Sequence, residues 1–301
     1  MFENWKLIVE NSMHTSISII ILSYNTKDLI KACLTSVFSQ IKSVSFEVIV
    51  VDNASSDDSV QMIKKEFPKV HLIESKENLG FGNGINLGVQ KAKGEYLLFL
   101  NSDAEVQGDV LAKMIAFVKT DEKIGMLGGK LINHDGSMQR SFSNFYGLKD
   151  VAILLFGREK LEMSLLGQDE KKEVDWVSGG CMFIKKALFD GIQGFDPKIF
   201  MYIEDMEICF RVRRLGYKIY YYPQFEVKHL GYGSSNREFA ITNIYKGLIY
   251  FYKKHKSSQE LMFVKGLLTL KAYGVISVAK LTRKSHLSQT YKKALQYINE
   301  V

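Results

Sequence analysis

The sequence is poor in the residues that interrupt or cross-link a chain. Its 301 residues include three prolines and three cysteines, and they show no internal repeat or low-complexity tract. Long disordered linkers are therefore not expected, and the length suits one large domain or two modest ones. Cys33, Cys181 and Cys209 lie far apart and show no metal-binding spacing, which indicates reduced core thiols and a reducing cytoplasm.

Long uncharged apolar runs are also lacking. Residues 1–14 contain acids and a tryptophan but no apolar core, so no secretory signal is predicted there. Residues 261–281 are mostly apolar, but Lys265 and Lys271 interrupt them. The longest uncharged stretch of this segment, residues 272–279, is far shorter than the roughly 20 residues of a membrane-spanning helix.

Positive charge is concentrated at the C-terminal end. Residues 240–301 carry eleven Lys or Arg and two Glu, a net charge of +9, whereas the whole chain carries +7. We predict a globular domain over residues 1–239 and a basic amphipathic helical tail over residues 240–301. Either the tail binds the surface of an anionic membrane, or it packs on the domain with a solvated basic face. Nucleic-acid binding is not expected, because the aromatic residues are not organised for it.

Apolar strand patterns alternate with helical patterns in the first half of the chain. Predicted strands at Ile17–Leu22, Phe46–Val51, Val70–Glu74 and Glu95–Leu100 are separated by predicted helices. Such alternation predicts an α/β fold with a largely parallel sheet and helices on both faces. Further strands at Val174–Lys185 and Lys218–Tyr222, with a helix at Glu204–Leu215, predict a mixed sheet continuous with the first half.

Polar clusters follow the first, second and fourth predicted strands, at the sheet edge where α/β proteins bind ligands. Ser23, Tyr24 and Asn25 follow the first strand, and Asn25 with Asp28 forms a candidate helix cap. Asp52 and Asn53 follow the second strand. Their side chains suit hydrogen bonds to a pyrimidine base or a ribose, and the alternative is that they cap the next helix.

A third cluster, Asn101-Ser102-Asp103, directly follows the apolar fourth strand. A carboxylate at this position suits Mg²⁺ or Mn²⁺, which prefer oxygen ligands and bridge to phosphate oxygens. The alternative is a turn or helix cap, which these residue types often form. His229, followed by small residues up to Ser235, is either a structural histidine or a contact to a metal and a diphosphate.

A glycine-rich segment, residues 78–88, contains the amides Asn83 and Asn86 near a predicted helix start, a setting that favours anions. Its glycines also resemble a dinucleotide-binding fingerprint, but they follow the third strand rather than the first. Glu204 and Asp205 begin a predicted helix. They are either dipole-complementing acids, or one of them is a general base that takes a proton from an acceptor hydroxyl.

Taken together, these motifs resemble the inverting family 2 glycosyltransferases of the GT-A fold, especially bacterial rhamnosyltransferase-like members. The resemblance covers about residues 16–250. The matching motifs occur in the family's order, and they are Ser23-Tyr24-Asn25, Asp52 to Ser55, Asn78 to Gly88, Asn101-Ser102-Asp103, Trp176 to Gly180, Gly194-Phe195-Asp196, Glu204-Asp205 and His229.

The resemblance implies a role for each site residue. Tyr24 would stack near the donor base, Asp52 would bind the pyrimidine, and Asp103 would be the metal-contacting acid of the DxD motif. Asn101 stands where that motif usually has its first acid. The remaining implied roles are the base Asp205, the metal or diphosphate contact His229, and the acceptor-pocket residues Trp176, Gly179 and Gly180.

The resemblance also implies a reaction. A dTDP- or UDP-linked sugar, rhamnose or another hexose, would pass with inversion and with Mn²⁺ or Mg²⁺ to a saccharide or lipid-linked saccharide during cell-surface polysaccharide synthesis. The Gln-x-x-Arg-Trp motif of processive synthases is lacking, which favours single-sugar addition. The expected location is cytoplasmic or peripheral at the inner membrane face. The alternatives are a catalytically silent nucleotide-sugar-binding or scaffold protein and, less favoured, an NAD-dependent oxidoreductase.

Overall fold

The computed structural model describes residues 16–143, 147–148, 151, 169–231 and 237–299. The strands are β1 (Ile17–Ser23), β2 (Phe46–Asp52), β3 (His71–Glu74), β4 (Tyr96–Asn101), β5 (Ala104–Gln107), β6 (Ile124–Ile132), β7 (Phe142–Ser143), β8 (Lys172–Val174), β9 (Trp176–Val177), β10 (Cys181–Lys185) and β11 (Lys218–His229). The helices are α1 (Lys27–Gln40), α2 (Ser59–Glu66), α3 (Phe81–Val89), α4 (Leu111–Val118), α5 (Lys186–Gly191), α6 (Glu204–Arg214), α7 (Arg237–His255), α8 (Ser258–Leu281) and α9 (Ser285–Asn299).

The main sheet has the order β3-β2-β1-β4-β10-β6-β11-β5, with β8 also paired to β11. The first four strands of the chain are mutually parallel, whereas β10 runs antiparallel to both of its neighbours. A hydrophobic core covers each face of the sheet. The predicted mixed, largely parallel sheet flanked by helices is therefore confirmed.

Two predicted strands have different bounds in the structure. Val174–Lys185 is interrupted, because a turn at residues 178–180 separates β9 from β10 and is closed by a hydrogen bond from Cys181 N to Ser178 O of 3.3 Å. Lys218–Tyr222 extends to His229, with a register shift between Tyr222 and Glu226. This irregularity accommodates Pro223, which directly follows the predicted end of the strand.

The predicted cap pair of Asn25 and Asp28 is also wrong. Helix α1 begins at Lys27 after Thr26, which makes no side-chain capping bond. Asn25 lies in the left-handed region at φ 52°, and its Oδ1 accepts a hydrogen bond of 2.7 Å from Ser56 N. The Asn25 side chain therefore connects the loop after β1 to the loop after β2.

Helix α7 is joined to α6 by a buried ionic cluster. Lys254 Nζ lies 2.6 Å from Asp196 Oδ2 and 2.7 Å from Oε1 of Glu207, a residue with no exposed side-chain surface. His255 and Arg211 also contact the Glu207 carboxylate. The first helix of the basic tail thus packs on the sheet domain through paired charges.

Helices α8 and α9 pack against α7 and against each other. A capping box formed by Ser257 and Glu260 begins α8. One side of α8 is buried, whereas its other side exposes Met262, Phe263, Leu270, Tyr273, Val278 and Leu281. Within the described part of the chain, α8 alone is long and apolar enough to cross a membrane by length and composition, a test that core helices of soluble proteins also pass.

Candidate active site

The carboxyl ends of β1, β2 and β4 bring the predicted polar clusters to one edge of the sheet. In the strand register Ser23 pairs with Asp52, and Leu22 pairs with Asn101. Thr26 then joins two of the clusters, because its hydroxyl lies 3.0 Å from the hydroxyl of Ser23 and donates to the hydroxyl of Ser102 at 3.0 Å. The clusters that follow the three strands therefore lie together at this edge, with partly buried Tyr24 beside them.

Asp52 has one carboxylate oxygen engaged and one available. Its Oδ2 accepts a hydrogen bond of 3.0 Å from Ser55 N. Its Oδ1 is buried and has no hydrogen-bond partner among the described residues. A buried acceptor without a partner is unfavourable unless a ligand supplies the hydrogen-bond donor, so Asp52 has the chemistry of a ligand-binding position.

Asn53, Asn83 and Asn86 were predicted to contact the donor, but their amides bind protein groups. Asn53 Oδ1 accepts from Leu79 N at 2.9 Å, and Asn83 Nδ2 donates to Leu79 O at 3.2 Å. The Asn86 amide makes reciprocal 2.9 Å bonds with the backbone of Phe195. These amides therefore hold the glycine-rich segment in position, and their contact with a donor stays a prediction.

The glycines of residues 78–88 allow close packing of α3. A Cβ on Gly84 would lie 2.3 Å from Cδ1 of Leu22 in β1. The first helical N–H of α3, on Phe81, donates to Phe200 O at 2.9 Å. The expected anion site at this helix start is therefore partly occupied by protein, and the resemblance to a dinucleotide fingerprint reflects helix packing.

The Asn101-Ser102-Asp103 motif faces His229, which ends β11. Asp103 Oδ1 lies 3.3 Å from His229 Nε2, and both side chains are largely buried. Asn101 Nδ2 lies 2.9 Å from the same His229 nitrogen. Burial opposes ionisation of Asp103, but hydrogen bonds and charge from His229 and a bond from Gly231 N hold its pKa below the ordinary value.

Gln139 orients the His229 ring, a role that no motif in the sequence predicts. Its Nε2 donates to His229 O and to Asn133 Oδ1, each at 2.6 Å. Its Oε1 therefore faces His229 Nδ1, at 2.6 Å, as an acceptor. Nδ1 carries a hydrogen in consequence, and Nε2 faces Asp103, the arrangement common in metal-binding histidines.

The Asp103 and His229 pair fits a divalent cation. Two ligand atoms 3.3 Å apart can both reach one ion at the typical distance of about 2.1 Å. Among the residues that the structure describes, no group of three or more His, Cys, Asp or Glu forms a complete site. Mg²⁺ and Mn²⁺ sites with few protein ligands are completed by phosphate oxygens and water, so the pair suits a cation bound together with a diphosphate.

Glu204 and Asp205 open α6 next to a strained backbone. Tyr202 and Ile203 both have positive φ, 65° and 72°, a conformation that costs non-glycine residues energy and that concentrates at functional sites. Asp205 Oδ1 accepts from Met206 N at 2.7 Å, and its Oδ2 accepts from Gly179 N at 3.4 Å. These bonds fix the direction of the Asp205 carboxylate.

Both carboxyl groups at the start of α6 are hard to ionise. Burial, followed by the charge of Asp205, raises the pKa of Glu204 to about 8, and Glu204 Oε2 is buried without a partner among the described residues. Burial also raises the pKa of Asp205, although bonds from Met206 and Gly179 and the charge of Arg140 oppose the shift. These bonds and this charge stabilise the ionised form of Asp205, which suits a base. Glu204 lacks comparable partners and is suited to stay protonated beside it.

The turn at residues 178–180 lies between Asp205 and the cluster of Asn101, Asp103 and His229. Gly179 N bonds to Asp205, and Gly180 O accepts from Asn101 N at 3.2 Å. Trp176, predicted to line the acceptor pocket, is only 6% exposed and belongs to the core. Arg140 lies 5.7 Å from the centre of the Trp176 ring, and the burial of the ring leaves little of it for an acceptor to contact.

The fold and this arrangement of residues define a glycosyltransferase of the GT-A fold. Residues 18–192 match the family model described as glycosyl transferase family 2, and the chain belongs to that family. This family membership and the packing role of the glycines argue against the alternative of an NAD-dependent oxidoreductase. The remaining part of the histidine motif, residues 232–235, lies outside the described residues.

A hexosyltransferase and a rhamnosyltransferase are similar to this chain over about two thirds of its length. It is 28% identical over 211 residues to the low-salt glycan biosynthesis hexosyltransferase Agl10 of Haloferax volcanii, covering 68% of this chain and 64% of Agl10. It is 24% identical over 216 residues to the N-acetylglucosaminyl-diphospho-decaprenol L-rhamnosyltransferase of Mycobacterium tuberculosis, covering 64% of this chain and 68% of that enzyme.

A solved structure supports the fold. The mannosyltransferase PcManGT of Pyrobaculum calidifontis, in complex with GDP-Man and Mn²⁺, aligns with a TM-score of 0.57 at 16% identity. The alignment covers 96% of this chain and 86% of PcManGT. At this identity the likeness shows the fold alone, and it confirms the predicted GT-A architecture.

Proposed function

We propose that this protein transfers a single sugar, rhamnose or another hexose, from a dTDP- or UDP-linked donor to a lipid-diphosphate-linked saccharide, with inversion at the anomeric carbon. The observation that carries the proposal is the position of Asp52, the Asp103–His229 pair and Asp205 around one edge of the sheet, where the turn at residues 178–180 bonds to both Asp205 and Asn101. The named rhamnosyltransferase relative suggests the sugar and the type of acceptor.

The donor base lies against Asp52. The N3–H of uracil or thymine supplies the donor that the buried Oδ1 of Asp52 lacks among the described residues, and Tyr24 provides a ring beside it. Cytosine has no hydrogen on N3 and would direct the lone pair of that nitrogen at the Asp52 oxygen. Because a buried acceptor left unpaired costs about 1–3 kcal/mol, this contact selects uridine or thymidine nucleotides over cytidine nucleotides.

Asp205 acts as the general base. Its carboxylate takes the proton of the acceptor hydroxyl as that oxygen forms a bond to the anomeric carbon. The bond from this carbon to the phosphate oxygen breaks, and its electron pair leaves with the nucleoside diphosphate from the opposite face. Asp103 and His229 would hold Mg²⁺ or Mn²⁺, which when bound supplies charge that offsets the negative charge of the departing diphosphate.

The exposed apolar face of helix α8 supports a location at a membrane surface, where a lipid-linked acceptor is found. Its outward face exposes large apolar side chains, including Leu270 at 64% and Tyr273 at 60%. Exposed Lys280, Arg283 and Lys284 follow at its C-terminal end. An apolar face beside basic residues suits the interface of an anionic bilayer, which favours a peripheral location at the cytoplasmic face of the inner membrane.

Donor turnover tests the proposal. The purified protein is incubated with UDP- and dTDP-sugars and Mn²⁺, and release of the nucleoside diphosphate is measured with and without a lipid-diphosphate-linked saccharide. The proposed function predicts acceptor-dependent release from at least one donor. Tight nucleotide binding without turnover of any donor would support the alternative of a catalytically silent nucleotide-sugar-binding or scaffold protein.

A further inference from the structure

A second cavity opens beside the start of α6, away from the proposed donor site. Its volume is about 760 Å³, and its walls come from residues 198–201, α7 and α9. None of the residues predicted to bind the donor or the metal lines it. We name it the α7–α9 cavity. It has no role in the donor chemistry proposed above.

The α7–α9 cavity carries a net positive charge. Of the described residues that line it, Lys198, Lys246 and Lys293 are cationic and Glu238 is anionic. Lys293 Nζ lies 3.6 Å from Glu238 Oε1, so the carboxylate offsets mainly that lysine. Lys198 and Lys246 are left to attract an anionic group, and both are exposed at the cavity.

Aromatic rings share the cavity with the lysines. Phe200 and Phe239 meet edge to face with ring centres 6.1 Å apart. Lys246 Nζ lies 3.8 Å from the centre of the Tyr297 ring. Rings beside cationic groups suit a ligand that has a charged part attached to apolar carbon, and a small inorganic anion would use only half of this lining.

The cavity adjoins the start of the helix that bears Asp205. Met201, in one wall, is four residues before Asp205 in the sequence. Gly247, in another wall, packs so closely on α6 that a Cβ there would lie 2.9 Å from Cγ1 of Ile203. The neighbouring Phe200 contacts the start of α3 through the hydrogen bond from Phe81 N to its carbonyl. The short segment from Phe200 to Asp205 therefore connects the cavity with the proposed base.

We infer that the α7–α9 cavity binds the diphosphate and the first isoprenoid carbons of a lipid-linked acceptor, whose sugar then extends to Asp205. The inference rests on the proposed transfer and assigns the lipid end of the acceptor to residues that no glycosyltransferase motif includes. Lys198 and Lys246 bind the diphosphate, and Phe200, Phe239 and Tyr297 contact the isoprenoid.

Binding of farnesyl diphosphate tests this assignment. Its affinity is measured by calorimetry with UDP and Mn²⁺ at saturation, so that the donor site is occupied. The Lys198→Gln/Lys246→Gln variant is compared with the wild type and with the charge-matched Lys113→Gln/Lys119→Gln variant, whose exposed lysines lie on or next to α4 over the other core. We expect at least tenfold weaker binding in the cavity variant and unchanged binding in the control.

Two further ligands identify the part of the molecule that is recognised. Farnesol and inorganic diphosphate are each expected to bind at least tenfold more weakly than farnesyl diphosphate. Equal affinity for inorganic diphosphate, equal loss in both double variants, or no loss in the cavity variant would overturn the assignment. UDP affinity is measured for every variant, because failure of the wild type to bind UDP would overturn the proposed function, independently of the cavity.

Discussion

Gly179 lies against Asp205, and the neighbouring Phe81 ring leaves little room for a side chain on it. A Cβ on Gly179 would be 3.0 Å from Cε1 of Phe81 and 3.7 Å from Cβ of Asp205. The N–H of Gly179 also donates to Asp205 Oδ2 at 3.4 Å. The turn at residues 178–180 therefore sets the position of the base from one side, and α6 sets it from the other.

Gly179→Ala is expected to lower kcat about tenfold or more, because a small displacement of a catalytic group has a large effect on rate. UDP affinity should remain within twofold of the wild type. Gly191→Ala, at a glycine with no atom within 4 Å of an added Cβ, is the matched control. Steady-state kinetics with calorimetry checks this prediction, and an unchanged kcat would show that the turn does not position the base.

Asp52→Asn is expected to weaken UDP binding at least tenfold and to remove the preference for UDP over CDP. The amide has an NH2 donor in place of one carboxylate oxygen, so it cannot accept at both the Ser55 N–H and the base N3–H. Asp58→Asn, at a side chain that is 75% exposed, should leave both affinities unchanged. Titrations of UDP and CDP measure the effect, and a retained preference for UDP would place the base elsewhere.

Glu204→Gln is expected to stabilise the protein at alkaline pH. The folded-state pKa of Glu204 is about 8, above its ordinary value of 4.5. Its contribution to stability is therefore complete below pH 4.5 and is lost as pH rises through 8. Because glutamine stays neutral, the gain in melting temperature over the wild type should be larger at pH 8.5 than at pH 5. An equal gain at both values would contradict a neutral buried Glu204.

Leu270→Glu/Tyr273→Glu is expected to abolish binding to vesicles that contain phosphatidylglycerol, because it places charges on the apolar face of α8. The control is Leu215→Glu, at a leucine that is 61% exposed beyond α6. Cosedimentation measures binding, and circular dichroism checks that the variants fold. Vesicle binding that survives in the α8 variant would assign membrane contact to another surface.

The motifs at the ends of strands could be predicted from the sequence, because their location depends on the local alternation of strand and helix patterns. Asp52 and Asp103 each follow an apolar strand, and parallel strands bring their carboxyl ends to one edge. Gln139 and Thr26 could not be predicted, since their roles come from contacts with residues distant in the chain. Trp176 was assigned to the acceptor from its motif, but burial of its ring is a property of tertiary packing.

The tail shows a second limit of sequence patterns. Charge counting separated residues 240–301 from the rest, yet Lys254 contacts Asp196 and Glu207 in the sheet domain. A lysine with two buried carboxylate partners has the same sequence pattern as a solvated one. The cavity lysines Lys198 and Lys246 likewise belong to separate predicted regions, and only the packing of α7 brings them together.

Transfer by the Asp205→Asn variant tests the central claim most directly. Sugar transfer and UDP affinity are measured on the same preparation. The control is Asp190→Asn, which changes an exposed side chain of α5. If Asp205 is the base, the substitution lowers kcat at least a thousandfold while UDP affinity stays within twofold of the wild type. A kcat within tenfold of the wild type, or an equal loss of UDP binding, would contradict the account.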